Sequence, residues 1–295
     1  RSLALANFRS TETTAPHIVV VKDSDEADTL DSYFSLFCEH FSDHPKPLRI
    51  LPTHDISPYS GLYTSRRSQL LRITWLYHAL FHPEDSLFVA TPKGLAQRAP
   101  AADVFLSLCT DFKKNSELPP NLAKYLGGLG YQSVPVVEDP GSFALRGGVI
   151  DIFSPAHDLP VRVELFGDVI ESLRFFDPQT QSSLDSSLDV LTITPANEIL
   201  FTDNSILRAC KALDKRESTA DVQQIKSLIR NSTYFDGIDF LISDFHDELQ
   251  LPTQYFLHSP LIWWTEAVDN EALFLADIST RSEEHTSELQ SPCNL

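Results

Sequence analysis

"FALRGGVIDIF", residues 143–153, sets two glycines behind an arginine and runs straight into an alternating, strand-like segment. "VRVELFGD", residues 161–168, follows with the same texture. Three readings compete: a glycine loop that grips phosphate, an ordinary hairpin sheet, or a surface that holds another protein. A P-loop requires G-x-x-x-x-G-K-[ST] before a helix, and the chain contains no such run. Gly147 and Gly148 lead into a strand, so no ring of amides at a helix N-terminus can form there. Their expected role is backbone relief at a bulge or bend.

Side chains of a strand alternate between its faces. In "VRVELF" this puts Val161, Val163 and Leu165 on the core face. Arg162, Glu164 and Phe166 fall on the other. An exposed Arg–Glu pair there adds little stability. Phe166 has two readings of equal weight: an apolar interface anchor among charges, or a ring folded over the sheet edge beside the tight turn Gly167-Asp168. Arg146 and Arg174 lie on neighbouring strands and can reach the same face. Arginine and aromatic residues are the types enriched in binding hot spots.

The rest of the chain narrows the function classes. Its 295 residues suffice for two or three domains, and 42% hydrophobic content makes it globular. A formal charge of −18 argues against broad DNA coating, which needs a basic surface. No apolar run approaches the roughly 20 residues that span a bilayer, and no signal peptide is evident, so a cytosolic protein is expected. Cys38, Cys109, Cys210 and Cys293 are far apart and form no CxxC pair. His40 and His44 can share a helix face, but Cys38 points elsewhere and no fourth ligand is suggested, so no metal site is expected. No G-x-S-x-G elbow marks a hydrolase. Catalytic, cofactor-binding and metal-ligating residues are therefore not expected.

Along the chain, short apolar strands (18–21, 48–51 and 86–91) alternate with helical patterns. In the first helix Leu30, Phe34, Phe37 and Phe41 form one face, with acidic N-cap candidates at 23–25. In the second, residues 66–80, Leu70, Ile73, Tyr77 and Leu80 do so. Strand–helix alternation predicts a parallel α/β sheet. After residue 101 the pattern shifts to a short helix, 121–126, with Gly127 and Gly128 as its cap. Short strands with hairpin turns follow, which predicts an inserted antiparallel sheet. Two further helices and an apolar strand, "PLIWW", come last. The chain has no methionine and opens on Arg1, which reads as a fragment. "RSEEHTSELQS" resembles a translated sequencing adapter, so 281–295 is set aside as a non-native tail.

The segment "EDPGSFALRGGVIDIFSPAHDLPVRVELFGDVIESLRFFDPQTQSS" closely resembles the signature of the bacterial transcription-repair coupling factor family, with a related version in the excinuclease subunit UvrB. "RILPTHDISPYSGLYTSRRSQLLRITWLYHAL", "LFVATPKGLAQRAP" and "GIDFLISDFHDELQLPTQYF" resemble further parts of the coupling factors, so the likeness runs over about residues 18–277. Ser154 departs from the family's usual proline, and "ISDFHDE" from a more apolar segment. A UvrB-type chain would carry a tyrosine-rich DNA-clamping hairpin, which this sequence lacks.

The resemblance implies an α/β domain of the P-loop NTPase type, degenerate and without Walker A, carrying an inserted β-rich domain. Its implied boundaries are 1–102 and 197–280 for the α/β domain and 103–196 for the insert. It implies docking of the damage-recognition ATPase UvrA through Arg146, Arg162 and Phe166, with Glu164 and Arg174 beside them. The arginines would hydrogen-bond acceptors on UvrA. It implies a monomer that is not itself an enzyme and holds no cofactor. ATP and magnesium, DNA and RNA polymerase would be handled elsewhere in a longer bacterial cytoplasmic protein. A UvrB-type subunit and a purely structural α/β module are the competing readings.

Overall fold

The computed structural model describes residues 15–41, 46–53, 64–216 and 219–265. In chain order these form β1 (His17–Val20), α1 (Ser24–Phe41), β2 (Leu48–Leu51), α2 (Arg66–Phe81), β3 (Leu87–Ala90) and α3 (Pro92–Ala96). Then come β4 (Ala99–Pro100), α4 (Ala102–Ser107), β5 (Thr110–Lys113), α5 (Leu122–Gly128), β6 (Gln132–Ser133), β7 (Ser142–Arg146) and β8 (Val149–Phe153). They are followed by β9 (Val161–Phe166), β10 (Val169–Phe176), β11 (Ser183–Ser187), β12 (Val190–Ile193), α6 (Asp203–Leu213) and α7 (Ala220–Arg230). The last are α8 (Ile242–Phe245), β13 (Leu249–Gln250) and β14 (Leu261–Trp264).

Two compact units result. One gathers the described residues up to Ser68, His78–Arg98 and those from Leu251 on; the other comprises Gln69–Tyr77 and Ala99–Gln250. Residues 197–250 thus group with the β-rich stretch.

The first unit is built on a four-stranded parallel sheet of order β14-β1-β3-β2. "HIVV" and "LFVA" are continuous apolar runs because a parallel strand is covered on both faces. Val19, Val21, Ala27, Leu30 and Val89 pack together there. Helix α1 starts as its acidic residues predict. The Glu26 amide donates to Asp23 Oδ1 (2.9 Å), and the Lys22 amide donates to the Glu26 carboxylate (2.8 Å), a reciprocal cap. Leu30 and Phe34 are buried on its apolar face. The side chains of Phe37, Cys38, His40 and Phe41, and all of His44, lie outside the described residues.

The second unit centres on a six-stranded sheet, β11-β10-β9-β8-β7-β6, antiparallel except between β6 and β7. Phe143, Ile150, Ile152, Val161, Val163, Ile170 and Leu173 form one buried face of it, joined by Leu122 and Leu126 of α5. Helix α5 runs through Gly127 and Gly128, so these do not cap it. The cap is Gly130, at φ +89°. The Gly130 amide donates to the Gly127 carbonyl and the Tyr131 amide to the Leu126 carbonyl, both at 3.0 Å, the paired bonds of a Schellman motif. Helices α6 and α7 are capped by Thr202 and Thr219 and close over Ile199, Ala209, Leu213, Ile229 and Phe245.

Helix α2 departs from the amphipathic expectation. Leu70, Ile73 and Tyr77 are buried, but so are Arg72, Trp75, Leu76 and Ala79, so burial extends well past one stripe. Arg72 tolerates this because Glu198 meets it side-on, with Nε–Oε2 at 2.8 Å and Nη2–Oε1 at 3.0 Å. His246 Nε2–H donates to the Glu198 carbonyl at 3.0 Å.

Candidate protein-docking face

Two hairpins shape the outward face of the six-stranded sheet. Arg146 pairs with Val149 across Gly147-Gly148, and Phe166 pairs with Val169 across Gly167-Asp168. In each the first turn residue is a glycine in the left-handed region, Gly147 at φ +62° and Gly167 at φ +64°. Positive φ at the first central position only is the pattern of a type II′ turn, which matches the twist of paired strands. The two glycines of "RGG" therefore relieve the backbone at a hairpin turn, not at a bulge within a strand. The Leu165 amide donates to the Gly148 carbonyl at 2.8 Å, which sets the "RGG" turn beside the end of β9.

The register places the expected residues on one face. Arg162 lies opposite Asp151 on β8 and Arg174 on β10, while Glu164 lies opposite Val149 and Ser172. Arg146 joins the Val149–Glu164 row from β7. Phe166, two residues beyond Glu164, points to the same side, as alternation requires. Val161 and Val163 are fully buried on the other side.

Exposure then separates their roles. Phe166 is 80% exposed, so the ring does not fold over the sheet edge. Val169, its cross-strand partner, is exposed as well. Arg174 is exposed, and its side chain makes no hydrogen bond or ion pair with a described residue. Glu164 is half-buried and accepts from the Ser172 hydroxyl.

Arg162 is held from within the chain. Its Nε and Nη2 donate to the two Asp151 oxygens at 2.7 and 3.0 Å. Its Nη1 donates to the Gln181 carbonyl at 3.2 Å and to Ser183 Oγ at 3.4 Å. The guanidinium also lies over the Phe176 ring, 4.7 Å from its centre. Hydrogen bonding to Asp151 raises its pKa further, so it is a fixed cation. Arg146 is nearly half exposed; its Nη1 lies 3.6 Å from Asp151 Oδ2 and its Nη2 donates to the Pro135 carbonyl. The face is thus graded. Val137, Ala144, Phe153 and Phe176 make a small buried cluster at one end, the charged residues sit in the middle, and Phe166 stands at the open tip.

Sequence reasoning missed Asp151, the residue on which the two arginines converge. A signal was available: an acid between Ile150 and Ile152, both core-facing, has to point outward, and the two-residue turn sets it opposite Ala144, one same-face step from Arg146. No group of three or more His, Cys, Asp or Glu able to hold a metal occurs among the described residues. Burial, helped by nearby Asp111, pushes the Cys109 thiol up to about 12, which leaves it a poor nucleophile. No described helix is long and apolar enough to cross a membrane.

Comparison with known proteins bears on this face directly. Residues 111–199, which include it, match the family profile of the UvrB interaction domain. The chain is 35% identical over 203 residues to a transcription-repair-coupling factor of Myxococcus xanthus, covering 66% of this chain and 16% of that protein. It is 26% identical over 294 residues to the one from Bacillus subtilis strain 168, covering 97% and 24%. To the Escherichia coli K12 protein it is 26% identical over 273 residues, covering 91% and 23%. The chain spans less than a quarter of the length of each of these relatives.

Proposed function

From the premise that this chain carries a UvrB interaction domain and is related along most of its length to transcription-repair-coupling factors, we propose that it is a recruitment module that docks the damage-recognition ATPase UvrA in transcription-coupled excision repair. The exposed Phe166, at the tip of a face that also presents Arg146 and Arg174, is the observation that carries this reading. An exposed aromatic ring on a face that also carries arginines has the composition of a binding hot spot. The 295 residues hold no G-x-x-x-x-G-K-[ST] run, which supports a module that recruits a partner and does not itself hydrolyse ATP. A longer bacterial cytoplasmic protein of this kind would be an ATP-dependent DNA translocase that displaces stalled RNA polymerase. The parallel unit fits a degenerate P-loop-type domain, an inference supported by its strand order and the coupling-factor resemblance.

A titration of the purified chain with UvrA tests the proposal. Wild type binds, and Phe166→Ala loses about 2–4 kcal/mol of binding while its melting temperature stays at the wild-type value. Wild-type failure to bind UvrA overturns the reading, as does equal binding by Phe166→Ala. ATPase and DNA-binding activity in the chain would instead support a UvrB-type subunit.

A further inference from the structure

Asp151 is 1% exposed yet faces two arginines. A buried carboxylate needs a counter-charge, and the bidentate Arg162 already supplies one. Arg146 is therefore a surplus cation, drawn to the same carboxylate from its exposed side. The Pro135 carbonyl holds its second terminal nitrogen, Nη2. A long side chain fixed at two points has lost much of its rotamer freedom before any partner arrives. That entropy is otherwise lost on binding.

Resting on the docking reading above, the geometry points to Asp151 as the positioning residue of this face. It touches no partner. It locks Arg162 against Phe176 and the Gln181 carbonyl as an internal strut, and it presents Arg146, preorganised, on the same face as Phe166. The partner then meets one oriented guanidinium and one ring, with Arg174 as a freely moving third contact. A plain structural counter-ion for Arg162 would leave Arg146 unaffected.

The test uses Asp151→Asn in the 295-residue chain, which keeps side-chain size and one hydrogen-bond acceptor. Guanidinium rotation measured by ¹⁵N NMR is the first readout. In wild type Arg146 rotates more slowly than Arg174, and in Asp151→Asn it speeds up to the Arg174 rate. Equal rates for the two arginines in wild type overturn the proposal, a comparison that stands even where Asp151→Asn does not fold. The second readout is UvrA affinity, which falls about tenfold in Asp151→Asn. In an Arg146→Ala background the same substitution causes no further loss. Additive losses in that cycle overturn the positioning role. A wild-type chain that does not bind UvrA overturns the docking reading and its share of this one, while guanidinium rotation still decides whether Asp151 holds Arg146.

Discussion

Arg162 and Phe166 stand four residues apart on β9, point the same way, and are held by opposite means. Arg162 has its nitrogens satisfied inside the chain, while Phe166 has water around most of its ring. Truncating them should therefore separate stability from binding. Arg162→Ala leaves the Asp151 carboxylate buried with only the more distant Arg146 for company, at a cost of about 3–5 kcal/mol in urea unfolding. Phe166→Ala should stay within about 0.5 kcal/mol of wild type in the same experiment. Period-two alternation located both residues on the outward face. It carried no information on which of them is engaged from within, because Asp151 and the Gln181–Ser183 segment come from two other stretches of chain.

At the scale of the element, the hairpins turn on single glycines. The added Cβ of Gly147→Ala would meet no atom within 4 Å, so any loss comes from its positive φ alone. That substitution should cost about 1–2 kcal/mol in chemical denaturation. Gly148→Ala, whose Cβ would make only ordinary contact with the Leu165 carbonyl at 3.5 Å, should fall well below that cost. The reverse order would mean that the turn is not of the II′ kind. Strands 48–51 and 161–166 were legible to the residue because apolar runs and alternation are local properties. The α5 terminus was not. Gly127 and Gly128 offered the better composition for a cap, but the helix carried on until Gly130 took up the left-handed conformation. Helical hydrogen bonds propagate through glycine at a modest cost, so composition alone places such an end only to within a few residues.

At the scale of the whole molecule, the second unit is assembled from distant parts of the chain. Its Arg72–Glu198 pair joins residues 126 positions apart and is almost fully shielded from water. Glu198→Ala should destabilise the protein by about 3–5 kcal/mol, since it removes the carboxylate that meets a buried guanidinium in two hydrogen bonds. Replacing both, as Arg72→Met with Glu198→Leu, should restore most of that loss, because the desolvation penalty disappears with the charges. Thermal unfolding of the single and double variants checks this. A double variant as unstable as the single would show that the pair contributes hydrogen bonding which packing cannot replace.

The sequence by itself determined the strand and helix texture, the shift from parallel to antiparallel pairing, and the sharing of one face by Arg146, Arg162, Glu164, Phe166 and Arg174. All of these follow from backbone periodicity and two-residue turns, which act over a few neighbours. Only the tertiary structure decided that Asp151 gathers the arginines, that Arg162 is a strut while Phe166 stands free, and that α2 buries a charge beside Glu198. Those outcomes depend on which groups lose their water when remote segments meet. Desolvation and the counter-charge that offsets it are properties of the packed molecule and are not written in any local stretch of the chain.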